Sequence, residues 1–388
     1  MSTRLAIVCS HPIQYYSPWF RHLSACAELE LKVFFLWDFG IKPTWDPDFQ
    51  KTISWDVSLL DGFPHTFVPN TSNNPGTHHF NGLQNPSLLA ELLAWKPDAV
   101  LTFGYNYASL LRLLLTLPQR IPLLLRGDSH RLGVKPTFKA FLKNSLTTLL
   151  FRRYRAFLYC GQANKDYFLH RGVKPKQLFF TPHAIDMEHF QKIPSVQEKA
   201  QAWRNSLNIA ETDTLILFAG KLEEKKRPND LLESFLNLQQ PQRHLVFVGS
   251  GLQEESLKQK AAPYSTIHFL PFHNQSKMPT VYTAADLFVL PSFGSGETWG
   301  LAVQEALACG TPVVVSDHVG CHSDLIEGKT NGLVFQAGSR LSLTEALEKA
   351  LLPNQLKAWA PQTRASLENH TYAQATEGLL VALEFIKK

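Results

Sequence analysis

The sequence predicts an α/β protein of two doubly wound, Rossmann-like domains facing each other across a cleft. Three observations lead there. The chain has 388 residues, more than one domain usually holds. Short apolar runs alternate with helical segments, and within each run the apolar residues are consecutive, as in parallel strands covered on both faces. The alternation stops in a polar stretch, residues 185–207, and then restarts. Hydrophobic residues at 44% and charged residues at 18% supply a real core, which excludes a disordered tail, a collagen-like chain and a coiled coil.

In chain order, the first half places strands at 5–9, 31–36, 99–103, 122–125, 156–160 and 178–181. Helices fall at 86–95, 107–117, 136–153 and 162–170. The second half places strands at 214–219, 244–249, 266–270, 286–290, 312–316 and 333–335, with helices between them. A last helix, 373–386, follows a polar break near 368–371. The expected division is a first domain over 1–183, a linker over 184–195 and a second domain over 196–370, with residues 373–388 packing back on the first. In such sheets ligands sit off the carboxyl ends of the strands, so the chemistry belongs in the loops that follow them.

Five scattered cysteines (Cys9, Cys26, Cys160, Cys309, Cys321) form no Cys-x-x-Cys pair, so neither a disulfide framework nor a zinc site is expected and a reducing compartment is. The apolar run at the N-terminus is too short for a signal sequence. No stretch reaches the roughly 18 apolar residues of a membrane span. A soluble, cytoplasmic protein is the expectation.

Charge is unevenly placed. The whole chain carries +5, yet residues 131–176 hold eleven Lys or Arg against one acid, Asp166, which leaves the remainder at −5. Such a belt points to an anionic surface. Within it, residues 136–155 interleave Phe and Leu with Lys and Arg, which suits a helix lying on anionic lipid. An ordinary amphipathic helix, apolar face to the core, fits the pattern equally well. No nucleic-acid module accompanies the basic residues, so nucleic acid is not expected as a partner.

The most informative segment runs from 285 to 317. A buried strand ends at Pro291-Ser292, a loop Phe293-Gly294-Ser295-Gly296 follows, and a helix begins near Gly300 and stops at Gly310 before Pro312. Free backbone N–H groups around Gly300 and Leu301 favour a phosphate. Glu297 lies in the loop and Glu305, eight positions on, lies inside the helix, placed to accept hydrogen bonds from vicinal ribose hydroxyls.

Here the chain resembles the retaining nucleotide-sugar glycosyltransferases of family 4, which have the GT-B fold. Their donor site carries Glu-x7-Glu in this setting, matched by Glu297 and Glu305, with Thr298, Trp299, Gly300 and Leu301 between. Gly220 to Pro228 is similar to the family's diphosphate loop, which puts Lys221 and Lys226 on its two basic positions; Lys for the commoner Arg keeps the charge and loses the bidentate fork. Gly249, in Phe247 to Gly251, resembles the family's Gly-x-Gly turn, Phe272 stands in the segment lining the base, and Pro182 to Asp186 resembles the motif closing the first domain. Ser10 to Tyr16 marks a subgroup bearing HPIQYY.

The resemblance implies transfer of a sugar from a nucleoside-diphosphate donor to a saccharide or lipid-linked acceptor, in cell-surface polysaccharide or glycoconjugate synthesis. It implies no cofactor and no metal, because Lys221 and Lys226 would neutralise the departing diphosphate. Glu297 would hold donor-sugar hydroxyls, and the leaving phosphate would help deprotonate the acceptor. Arg126, Asp128 and His130 are the first-domain candidates near the anomeric carbon; His11, Gln14 and Tyr15 are the acceptor-side candidates. His183 reads as structural, near the hinge. A nucleotide-sugar epimerase and a non-catalytic scaffold subunit are the alternatives, the second opposed by the intact Lys and Glu pairs.

The connection between residues 36 and 86 is too long to lack structure. The expected solution is a hairpin pairing 52–57 with 66–69 that packs Trp37, Trp45 and Trp55 on the core. The alternative is a lid that stacks those rings on substrate. Residues 70–82 are expected to touch the acceptor.

Overall fold

The structure, a computed structural model, describes residues 2–46, 50–134, 137–239 and 242–388, and for 138–143 the backbone alone. Of the basic belt, Lys135 and Pro136, and the side chains of Lys139 and Lys143, therefore lie outside the described residues.

The apolar runs form strands β1 (Thr3–Cys9), β2 (Leu29–Phe35), β3 (Thr44–Asp46), β4 (Lys51–Ile53), β5 (His65–Phe67), β6 (Ala99–Phe103), β7 (Leu123–Gly127), β8 (Ala156–Tyr159) and β9 (Leu178–Phe180). Seven of them make one parallel sheet in the order β5-β2-β1-β6-β7-β8-β9. The second half adds β10 (Thr214–Ala219), β11 (Arg243–Val248), β12 (Ile267–Leu270), β13 (Leu287–Leu290), β14 (Val313–Ser316) and β15 (Gly332–Phe335). These make a second parallel sheet, β12-β11-β10-β13-β14-β15. Each sheet has a core on both faces, which is why its central strands read as unbroken apolar runs.

Strand order reverses beside β1 in the first sheet and beside β10 in the second. The loops leaving these strands and their neighbours β6, β7 and β13, with those after β4, β9, β11 and β12, border two cavities. The terminal helix Tyr372–Lys387 packs on the helix Ser17–Ser24 and on β8 and β9 of the first sheet. Its Leu379, Ala382 and Leu383 are buried, and Trp19 Nε1 donates to Thr376 Oγ1 at 3.1 Å. Replacing Leu379 by Ala would cost about 2–5 kcal/mol.

One expectation needs correction and one stretch holds more than expected. The 36–86 connection holds a hairpin, but β3 pairs with β4, while β5 joins the main sheet parallel to β2. The parallel partner satisfies the open edge of β2, which an antiparallel mate of 52–57 would leave bare. The polar stretch 185–207 also holds a helix that the apolar pattern did not announce, nearly all of it within the expected second domain. This is the helix Pro194–Ser206, opened by proline at its first turn, whose Ala200 and Arg204 are buried; Arg204 donates to Ala284 O and Asp286 Oδ2. Among the described residues no helix is long and apolar enough to cross a membrane, and no group of His, Cys, Asp and Glu could hold a metal ion.

Candidate active site

The site is built where the strand-end loops of the two sheets face each other. After β10, Gly220 and Lys221 lead to a short turn ending in Lys226; after β13, Ser292 to Gly300 lead to the helix Leu301–Ala308. Gly300 caps that helix at φ +96°, and a Cβ there would lie 2.6 Å from Val319, so only glycine fits. Gly249, at the end of β11, faces the same limit: a Cβ would stand 2.0 Å from Gly220 O. Both glycines let main chain border a cavity of about 400 Å³.

That cavity brings together most of the residues singled out from the sequence. Lys221, Lys226, Gly249, Phe272, Glu297 and Glu305 line it, as do Thr298, Trp299, Gly300 and Leu301. Lys226 Nζ and Ser292 Oγ both donate to Glu297 Oε2, the latter at 2.9 Å. The pair is largely enclosed, its side chains 18% and 12% exposed. Lys221 Nζ lies 3.5 Å from Asp46 Oδ1 of β3, an ion pair reaching across from the first domain.

The same insertion contributes more. Trp55 meets Phe272 edge to face at 6.1 Å and lines the cavity; Asn274 Nδ2 donates to Ser54 O, and Ser276 donates to Asp56. Trp55 is thus not packed on the first-domain core as expected, while Trp37 does stack on Phe39 and Trp45 is exposed. None of residues 70–82 lines this cavity or the one beside it.

Glu305 reaches the cavity but is only 2% exposed, and both oxygens already accept. Tyr15 OH donates to Oε1 at 2.8 Å and Tyr282 OH to Oε2 at 2.7 Å, with Gln275 Nε2 at 3.5 Å. Burial raises its pKa against the pull of these donors. The expectation is that Glu305 accepts from ribose hydroxyls; in this structure Tyr15, Tyr282 and Gln275 hold those acceptor positions. Tyr15 and Gln14, expected on the acceptor side, line this same cavity with Lys226 and Glu297.

A second cavity of about 370 Å³ opens among the loops after β1, β6 and β7. Its wall is aromatic and mostly uncharged, with Phe103, Tyr105, Tyr107, Asn106 and Ser129. Asp128 borders both cavities and accepts from Thr298 Oγ1 at 2.8 Å.

Three other first-domain candidates stand differently from expectation. Arg126 lines the second cavity but spends its fork on Thr181 O and Pro182 O, at 2.6 and 3.2 Å, with its guanidinium over Trp19; it holds the end of the first domain in place. His130 borders neither cavity. Its Nδ1 accepts from Leu132 N, so Nε2 carries the hydrogen and donates to Glu297 O at 3.1 Å, bracing the loop between the domains. Burial lowers its pKa. His11 packs edge-on to Trp37 and Phe39 and borders neither cavity; burial brings it to about 4.

His183, read as structural, borders both cavities. It is 4% exposed, and its Nε2 has no hydrogen-bond partner. Burial, followed by the charge of Arg126, holds its pKa well below the usual histidine value. Tyr16, Trp55, Gln275, Tyr282 and Ser292 were also missed. Tyr16 lies within the HPIQYY segment and Ser292 at a strand end, and both were signals available in the sequence.

Residues 199–368 match the family described as glycosyl transferases group 1. D-inositol 3-phosphate glycosyltransferase of Gordonia bronchialis is 28% identical over 224 residues, 54% of this chain and 47% of that protein. The chain spans about half the length of the curated relatives it matches. Among solved structures, Anabaena HepE in complex with UDP and glucose aligns at TM-score 0.73 and 18% identity, over 98% of this chain and 99% of that one. The catalytic domain of Arabidopsis thaliana starch synthase IV, bound to ADP and acarbose, aligns at TM-score 0.73 and 13% identity, over all of both chains. Over residues 199–368 the chain is therefore similar to glycosyl transferases group 1, and the fold of its two sheets is GT-B.

Proposed function

We propose that the protein is a retaining glycosyltransferase that moves a sugar from a nucleoside-diphosphate donor to a saccharide or lipid-linked acceptor. The observation that carries this reading is the Lys226–Glu297 pair beside the opening of the Leu301–Ala308 helix, inside a cavity between the two domains. The diphosphate lies against the Gly300 and Leu301 amides, where the helix dipole favours an anion. Lys226 turns to it from Glu297, and Lys221 from Asp46, so the two ammonium groups supply the countercharge without a metal. Glu297, released, accepts hydroxyls of the donor sugar. The base lies along Phe272, and the ribose hydroxyls take the place of the Tyr15 hydroxyl on Glu305.

The acceptor fills the second cavity, with Asp128 between the sites. Its oxygen bonds to the anomeric carbon as the bond to phosphate breaks on the same face, and its proton passes to the departing diphosphate. The relatives named for glycosyl transfer and the solved relatives holding UDP or ADP support the reading. Calorimetry with UDP and ADP, followed by NMR of the product's anomeric configuration, tests it. Absence of nucleotide binding would refute it, and an inverted product would refute retention.

We also propose an anionic membrane surface as the site of action, supporting a role in cell-surface glycoconjugate synthesis. On the helix Phe138–Phe151, Leu146 and Leu149 are 59% and 58% exposed, and exposed Arg152 follows the end of the helix. Exposed leucines beside basic groups suit the headgroup layer. Arg153 is not part of this face, because it donates to Leu117 O.

A further inference from the structure

The two cavities meet at a neck bordered by Tyr16, Asp128, His183 and Thr298, the four residues common to both. Two of them face each other without touching: His183 Nε2 lies 3.9 Å from Asp128 Oδ2. That spacing is too long for a hydrogen bond, and His183 Nε2 has no other partner although the side chain is 96% enclosed. A buried polar nitrogen left unsatisfied is unusual in a folded protein and calls for an occupant.

The ring is not loose. Tyr16 of the first domain stacks on it at 6.1 Å and 16°, and Trp299 of the second packs on it at 5.6 Å. Its carbonyl accepts from Gln304 Nε2 at 3.0 Å. Asp128 is held in turn by Thr298 Oγ1. The gap is therefore a fixed distance between two oriented groups supplied by both domains. One oxygen placed about 2.8 Å from each would subtend about 90° between them, a geometry a hydroxyl accepts without strain.

We propose that Asp128 and His183 form a cradle for a single hydroxyl, the attacking hydroxyl of a saccharide acceptor held in the second cavity. The proposal rests on the glycosyltransferase reading. Phe103, Tyr105, Tyr107, Asn106 and Ser129, with Arg126 already bound to main-chain carbonyls, give the rest of that cavity the mixed aromatic and polar character of a sugar site. The hydroxyl donates to Asp128 and accepts from His183, which aims its free lone pair at the anomeric carbon in the first cavity. Asp128, which borders both cavities, takes the proton as the hydroxyl oxygen bonds to the anomeric carbon and hands it to the departing diphosphate, so both cradle residues end the turnover with the charge they began with.

Two measurements on the full chain test this. A crystal structure with UDP should show an oxygen atom, from water or from an added sugar, within about 3.2 Å of both Asp128 Oδ2 and His183 Nε2. A direct His183–Asp128 hydrogen bond, or an empty gap, would overturn the cradle. In the second, UDP affinity and UDP release from UDP-glucose are compared in wild type, His183→Leu and His183→Gln. The expectation is a UDP Kd within twofold in all three, at least 100-fold slower release in His183→Leu, and partial recovery in His183→Gln, whose amide can reach the hydroxyl. Undiminished release in His183→Leu would overturn the proposal. If wild type binds neither UDP nor ADP, the nucleotide reading fails instead, while the crystal structure still decides the cradle.

Discussion

Replacing Lys226 by Met removes one charge and keeps nearly all of the aliphatic stem. In the structure the ammonium is mostly enclosed and spends its charge on Glu297 Oε2. The substitution should act twice. Without donor, Glu297 keeps the Ser292 Oγ hydrogen bond but no ion pair among the described residues, and the loss of a charged partner from an enclosed carboxylate costs about 1–3 kcal/mol. At about 2–4 °C per kcal/mol for a domain of this size, the melting temperature should fall by about 2–12 °C. With donor, a charge-assisted hydrogen bond to diphosphate worth about 1.5–3 kcal/mol is lost, which weakens binding about 10- to 150-fold. Charge on the diphosphate grows as its bond to the sugar breaks, so turnover should drop further, by about 10²–10³. Calorimetry gives the Kd, a coupled assay of released nucleotide gives kcat, and a melting curve shows the fold persists. Lys226→Arg, which keeps the charge, should recover most of the loss. A folded Lys226→Met variant with unaltered nucleotide Kd and turnover would refute the reasoning.

Three further outcomes are expected. Asp46→Asn removes the carboxylate that Lys221 now faces, so UDP should bind about 2- to 5-fold more tightly by calorimetry, as for loss of a partly exposed competing ion pair. His370 is buried with neither ring nitrogen paired, stacked on Trp299, and burial brings its pKa from 6.5 to about 4. Because the folded value is depressed, its contribution is present above pH 6.5 and is lost as pH falls toward 4, by about 3 kcal/mol; His370→Phe should match wild type at pH 7 and lose that much less by urea unfolding at pH 4. Changing Leu146 and Leu149 to Ser together with Arg152→Glu should reduce pelleting with phosphatidylglycerol vesicles several-fold and leave pelleting with phosphatidylcholine unaltered.

Much of the fold was legible because parallel strands buried on both faces leave unbroken apolar runs, such as Leu123 to Leu125 and Val313 to Val315. Glycine and proline punctuation made the loop after β13 readable, down to the helix that Gly300 opens. Strands β3, β4 and β5 have three residues each, too few to show a period, so their pairing followed from sheet edges and not from pattern. The helix Pro194–Ser206 escaped notice because only Ala200 and Arg204 are fully buried on it. At the site, the sequence named residue types but not their partners. Arg126 could not be told from a ligand-binding arginine until its fork met Thr181 O and Pro182 O. Tyr15 and Glu305 are 290 positions apart, and their bond exists only because the domains face each other. The setting of His183 depends on rings from both domains, which no local motif encodes.

The most direct test of the central claim is a crystal structure of the full chain with a bound nucleoside diphosphate, UDP first. The account predicts phosphate oxygens within about 3 Å of Lys226 Nζ and of the Gly300 or Leu301 amide, with Glu297 separated from Lys226. Diphosphate bound elsewhere, with the Lys226–Glu297 pair intact, would contradict it.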